Sequence, residues 1–438
     1  AVAITEPESI RYHLERAVYL ARHGRPGPVW IDVPLDVQAA AVEPEQQSGF
    51  TPEAQQPPTD GVALPEQVGH AIRLLRKSER PVILAGNGVR LSGAVGEFRS
   101  VAERLGVPVL LTWKAADFLP DDDPLYLGRP GAMGQRAANF AQQNADWILV
   151  VGARLDLGQT GYNHRYFARA AKKVMVDVDQ HEIGKMMTRI DVPICADAGE
   201  FLRELGAQLG TQRPVECGSW LRRCHEWRAR YPVVLPEYWQ DTEGVSNYVL
   251  LDVLSDQMAP DDLLIPGCSG ASSEVTMQTF RVKEGQRVFN AQGLGAMGFG
   301  IPAAIGGCVA SGRRRTVCLD GDGGFSLNIQ DLETAVVQLK AKAVRDLFEQ
   351  TFVTGDATAN PKAFDGLDKL VDPAQSLSMG ANGGSLTLDK LDEIIDKVLG
   401  GKPDLLLMSR RSRRITNKLA RTSGSFLETD RDEFGQML

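Results

Sequence analysis

Short apolar runs alternate with amphipathic stretches along the first three quarters of the chain. PVILA at 81–85, PVLLTW at 108–113, WILVVG at 147–152 and VMVDVD at 174–179 are too short for helices and predict strands buried on both faces. Helical spacing fills the gaps near 64–77 and 94–105, and VPICAD leads into a further helix at 197–209. An earlier run, PVWIDVP at 28–34, precedes this series, and LLIPG at 263–267 follows a helical stretch near 246–258. Such repetition predicts βαβ units, hence an α/β protein with parallel sheets covered by helices. One more unit reads TVCLDGDGGFSLNIQDLETAVVQLK. In it TVCLD predicts a buried strand, and Ile329, Leu332, Val336 and Leu339 share one face of a helix at 328–340. Gly321, Asp322, Gly323 and Gly324 then form the turn at the carboxyl end of a parallel strand, where ligands bind in open α/β sheets.

Two breaks interrupt the pattern. The Pro- and Gln-rich segment 43–61 reads as a linker. All six His, six Trp, eight Tyr and six Cys lie before Ala341, whereas an even spread would put roughly six of them after it, so a boundary falls near 340. At 438 residues the chain has room for about three domains. Its formal charge of -8 argues against nucleic acid as a partner. The uncharged stretch 291–312 carries seven glycines and one proline, which argues against a membrane span. Six scattered cysteines without a C-x-x-C pair, and an N-terminus without an apolar signal core, predict reduced thiols and a cytoplasmic protein.

A GDGG turn lets backbone amides approach an anion, and the Asp322 carboxylate requires a cation between itself and a diphosphate; Mg²⁺ is the hard cation suited to that bridge. A plain tight turn explains the same four residues equally simply. His181-Glu182 and His225-Glu226 open like zinc-binding H-E-x-x-H helices, but Lys185 and Ala229 stand where the second His belongs. Gly267-Cys268-Ser269-Gly270 lacks the last glycine of a G-x-S-x-G elbow.

The motifs ARHGRPGPVWIDVPLDVQ, RPVILAGNGV, WILVVGARLD, VDVDQHEIGK, GLGAMGFGIPAAIGG and LDGDGGFSLNIQDLETAV occur in one order and spacing. Together they resemble thiamine-diphosphate enzymes of the acetolactate synthase-like group over residues 1–340. The resemblance makes 1–42 the remnant of a pyrimidine-binding domain, 62–210 a central domain and 211–340 part of a diphosphate-binding domain. It implies decarboxylation of a small 2-keto acid and carboligation to a second carbonyl, in a homo-oligomer. Carried onto this sequence, it makes Asp322 the Mg²⁺ ligand and lets Gly321, Gly323 and Gly324 line the diphosphate. Gly267, Cys268 and Ser269 fall in a cofactor-contacting loop. In the Gly-rich stretch, Gly295 joins them and Met297 supports the bent cofactor; plain core filling explains that methionine as well. Some relatives hold FAD in the central domain; Gly86, Gly88, Gly152, Arg154, Asp177 and Asp197 match those nucleotide contacts, and scaffold geometry accounts for the same residues.

Two features depart from the family. Its Asn-Asn pair, about 25 residues after GDG, is replaced by RDLFEQTFV at 345–353, and its early catalytic glutamate is matched by none of Glu6, Glu8 and Glu15. Without that group, turnover is expected to fall by about 10² to 10⁴, and a nucleotide-binding module without catalysis becomes a rival reading. Residues 341–438 resemble major capsid proteins of tailed phages, which implies a structural role for that segment and a chimeric chain. Its Arg410, Arg411, Arg413 and Arg414 read as a solvated basic face. Strand 316–320 is then expected to lack a neighbour on one side.

Overall fold

A computed structural model describes residues 1–52, 62–210, 213–242, 244–268 and 270–330, and Ala1–Leu332 forms one compact unit. Two two-residue strands, β1 (Val2–Ala3) and β2 (Ile31–Asp32), pair in parallel near its start. The larger sheet has six parallel strands: β3 (Pro81–Ala85), β4 (Val109–Leu111), β5 (Tyr126–Gly128), β6 (Trp147–Val151), β7 (Lys172–Asp177) and β8 (Val192–Cys195). Their order is β5-β4-β3-β6-β7-β8. A smaller parallel sheet joins β9 (Leu263–Pro266), β10 (Arg287–Val288) and β11 (Thr316–Leu319) in the order β10-β9-β11.

The central strands β3 and β6 are apolar at all five positions, and every one of those residues is buried, as a sheet covered on both faces requires. The covering helices present apolar residues at helical spacing. Val68, Ala71, Ile72 and Leu75 lie on the helix Leu64–Leu75; Phe98, Val101, Ala102 and Leu105 on Val95–Leu105; Phe201, Leu202 and Leu205 on Ala198–Gln208. Removing a side chain such as Leu84 from water contributes about 1.5 to 3 kcal/mol, and Leu84 is fully buried.

A second core gathers Trp113 and Ala116, from the loop after β4, with Met258, Leu264, Met277 and Phe280 around the smaller sheet. Asp117 fastens the two sheets together. Its buried carboxylate pairs with Arg90 beyond β3 and with Arg287 of β10 at 2.7 Å, and it accepts the Val288 backbone N–H at 3.0 Å.

The run 28–34 pairs only over Ile31–Asp32; the Trp30 carbonyl accepts the Val2 N–H at 3.0 Å, but the Val29 and Trp30 side chains stay exposed. The strand at 316–320, expected to be buried, is half-buried over Thr316–Leu319. Among the described residues β11 pairs with β9 alone; the segment that decides its other side, most of the expected helix 328–340 and all of 341–438 lie outside the described residues.

Candidate functional site

The strand order reverses between β3 and β6, and a crevice opens at their carboxyl ends. Gly88, just beyond β3, donates its N–H to the Gly152 carbonyl at 2.9 Å, and Gly152 donates to Val176 at 3.0 Å. A Cβ on Gly88 would stand 2.7 Å from the Gly152 Cα, and Gly152 itself has φ of 59°. Only glycines let these loops touch. Gly86 packs against Ala153 and does not border the crevice. Gly88, Gly152, Arg154, Asp177 and Asp197 all do, around a volume of about 610 Å³.

The polar members are held from behind. Asp197 caps the helix Ala198–Gln208, accepting N–H groups from Gly199 at 2.9 Å and Glu200 at 3.2 Å. Asp177 accepts the Asp179 N–H at 3.0 Å, and burial pushes its carboxyl up from the ordinary range. Glu182 gathers three cations: Arg25 at 2.5 Å, Arg154 at 3.1 Å, and Lys185. Burial alone would raise its pKa, but hydrogen bonds and charges from Lys185 and Arg25 prevail and hold it at about 2. Lys114 also borders the crevice; burial pushes its ammonium down while it donates to the Asn290 carbonyl at 3.2 Å.

At the smaller sheet, Asp322 is the first residue of a short helix, Asp322–Leu327, rather than part of the preceding turn. The Phe325 N–H reaches the Gly321 carbonyl at 2.8 Å, so the helical turn starts immediately after Gly321. Its glycines stand in two environments. Gly267, Gly300 and Gly324 press on the Asp320 carboxylate, where a Cβ would overlap its oxygens. A Cβ on Gly321 would meet nothing within 4 Å, and one on Gly323 only the Met297 sulfur at 3.5 Å. Both are exposed, as are Asp322 and Met297.

Cys268 and Gly295 border a second cavity of about 630 Å³ that shares Arg154, Asp156, Gln292 and Gly293 with the crevice. Ser269 lies outside the described residues. No cluster of three or more His, Cys, Asp or Glu among the described residues is placed to hold a metal ion. His225 instead contacts the Pro124 carbonyl at 2.8 Å. No described helix is long and apolar enough to cross a membrane.

Sequence reasoning missed Arg25, Lys114 and the role of Glu182. In the sequence Glu182 stands in an incomplete zinc motif and within VDVDQHEIGK, neither of which marks it as an ion-pair hub, and its partner Arg25 is 157 positions away.

Comparison with known proteins then supplies the kinship. Residues 68–205 match the thiamine pyrophosphate enzyme central domain, and 269–344 match the C-terminal thiamine pyrophosphate-binding domain of such enzymes. The probable acetolactate synthase large subunit of Methanocaldococcus jannaschii is 35% identical over 342 residues, covering 76% of this chain and 56% of the relative. The acetolactate synthase isozyme 1 large subunit of Escherichia coli is 32% identical, covering 76% and 58%. Acetolactate synthase 1 of Zea mays, a chloroplastic protein, is 34% identical, covering 75% and 51%. The chain thus spans a little over half the length of these relatives.

Proposed function

We infer, for a chain whose residues 68–205 and 269–344 belong to the thiamine pyrophosphate enzyme family, that it serves acetolactate synthase-like chemistry. That chemistry is decarboxylation of a small 2-keto acid followed by carboligation to a second carbonyl compound, in a homo-oligomer. Thiamine diphosphate, when bound, supplies the electron sink for the decarboxylation.

The observation that carries the reading is the open surface at Gly321 and Gly323, where a Cβ would meet nothing at the first and only the Met297 sulfur at the second. Neither glycine is required by its own surroundings, and Gly321 has an ordinary φ of -81°, so the missing side chains leave room for a group from outside. Backbone amides of 321–324 would hold the diphosphate. Asp322 would reach it through Mg²⁺, which joins carboxylates to phosphate oxygens. Met297, beside Gly323, would support the cofactor, and the loop 267–269 with Gly295 would complete the cradle. Asp320 keeps Gly267, Gly300 and Gly324 at contact distance behind it.

The six-stranded sheet, within the central domain 62–210, would offer its crevice to a dinucleotide such as FAD. Gly88 and Gly152 allow backbone approach there, and Arg154, aimed by Glu182, offers charge to phosphate. Residues 1–42 would belong to a pyrimidine-binding domain, 43–61 to a linker and 211–340 to the diphosphate domain. The segment 341–438 takes no part in this reading.

Titration of the purified chain with Mg²⁺ and thiamine diphosphate, followed by tryptophan fluorescence, tests the assignment. Saturable binding that disappears in Gly323→Val and loses its Mg²⁺ dependence in Asp322→Ala is expected. Binding unaffected by either substitution would refute it.

A further inference from the structure

One carboxylate touches three separate segments at once. Asp320 follows β11, and its side chain lies against the loop after β9, the start of the helix Gly300–Ala310 and the helix Asp322–Leu327. Each segment meets it with a glycine. A Cβ on Gly267 or Gly324 would overlap Oδ1, and one on Gly300 would overlap Oδ2; all three would stand only 2.8 or 2.9 Å from Cγ, closer than real Cβ atoms come. The Asp320 Oδ1 accepts the Gly321 N–H at 3.0 Å, while Oδ2 is buried and finds no donor among the described residues. A buried acceptor without a donor weakens a fold, so what the side chain offers here is its shape and its one bond to the turn.

The three glycines belong to the segments that carry the expected cofactor contacts. Gly267 adjoins Cys268 and Ser269, Gly300 follows Met297 by three positions, and Gly324 closes the GDGG turn. We propose that Asp320 is a positioning residue whose carboxylate, packed on these glycines, sets the spacing of 267–269, 295–300 and 321–324. The ligand that this spacing serves is taken from the thiamine diphosphate reading; the spacing itself rests on packing. Asp320 acts through the backbones it separates, and Gly267 and Gly324 lack side chains because of Asp320. In a close-packed interior a Cβ at any of the three positions pushes its segment outward, and loss of the carboxylate lets the segments draw together.

Melting of the full chain tests the spacing without any ligand. Gly324→Ala should lower the melting temperature in the native chain. In an Asp320→Ala or Asp320→Gly background it should raise it, because the overlap is gone and the better helix propensity of alanine remains. Titration with Mg²⁺ and thiamine diphosphate, followed by tryptophan fluorescence, tests the consequence. Asp320→Ala should weaken cofactor binding by about tenfold or more, as lost preorganisation does, and Asp320→Asn, which keeps the shape and the acceptor for Gly321, should restore most of it. A melting temperature lowered by Gly324→Ala in every background would overturn the spacing role, and equal affinity in Asp320→Ala and the native chain would overturn its bearing on the cofactor. A native chain that shows the reversal and binds no cofactor loses the functional reading alone, whereas cofactor binding without the reversal removes only the role of Asp320.

Discussion

Replacing Glu182 by glutamine removes the charge that holds Arg25, Arg154 and Lys185 while preserving the side chain's shape. The native carboxyl is held at about 2, against an ordinary 4.5. Linkage at about 1.4 kcal/mol per pH decade makes this an upper figure of about 3.5 kcal/mol at neutral pH. The partners weaken that figure, because the Arg154 side chain is 55% exposed and solvent screens it; about 1 to 2 kcal/mol is the working expectation. The sign follows from the depressed pKa. The contribution is complete above the unfolded-state value near 4.5 and fades as pH falls toward 2, so the gap between the native protein and Glu182→Gln should be widest at pH 7, about halved at pH 3 and nearly closed only at pH 2. Urea unfolding followed by tryptophan fluorescence at a series of pH values measures that gap. A difference that stays constant between pH 7 and pH 3 would show that the ion cluster stabilises by packing rather than charge.

Gly152→Ala forces a side chain into the left-handed region against Gly88 and should cost about 1 to 3 kcal/mol; an unchanged melting temperature would contradict the loop contact. Asp197→Ala should lose about 0.5 to 2 kcal/mol with its cap, and Asp197→Asn should retain most of it, a contrast that denaturant midpoints resolve. Burial pushes the Cys224 thiol up to about 12 and the Cys318 thiol up to about 11. Both should therefore react with a chromogenic disulfide reagent at pH 8 far more slowly in the native chain than in urea, and equal rates would be inconsistent with their burial.

The strands legible in the sequence are those whose signal is local. PVILA and WILVV are five apolar residues in a row because both faces of the sheet are covered. Tyr126–Gly128 is a three-residue edge strand beside a register shift, so no periodicity announces it. The helix Gly218–Arg230 buries only Trp220 and Cys224, too little apolar pattern to stand out from its arginines. The same distinction separates the site residues. Glycines and the GDGG turn carry their geometry in adjacent positions, whereas Asp117 and Arg287 are joined across 170 positions and only folding brings them together. Asp322 was legible as a residue at a strand's end, but its place inside the helix depended on where Gly321 let the chain begin to coil.

The clamp at Asp117 bears on how this molecule can move. Sliding one sheet against the other would strip a nearly inaccessible carboxylate of a guanidinium from one side or the other, and breaking a buried pair in that way typically costs about 3 to 5 kcal/mol. A thermal fluctuation of that size is populated less than one time in a hundred. The crevice over β3 and β6 and the cavity bordered by Cys268 and Gly295 are therefore mounted on a single stiff frame. A ligand entering one of them meets walls whose spacing the other ligand has little power to alter, and any dependence between the two must pass through the residues they share, Arg154 above all, instead of through closure of one domain upon another.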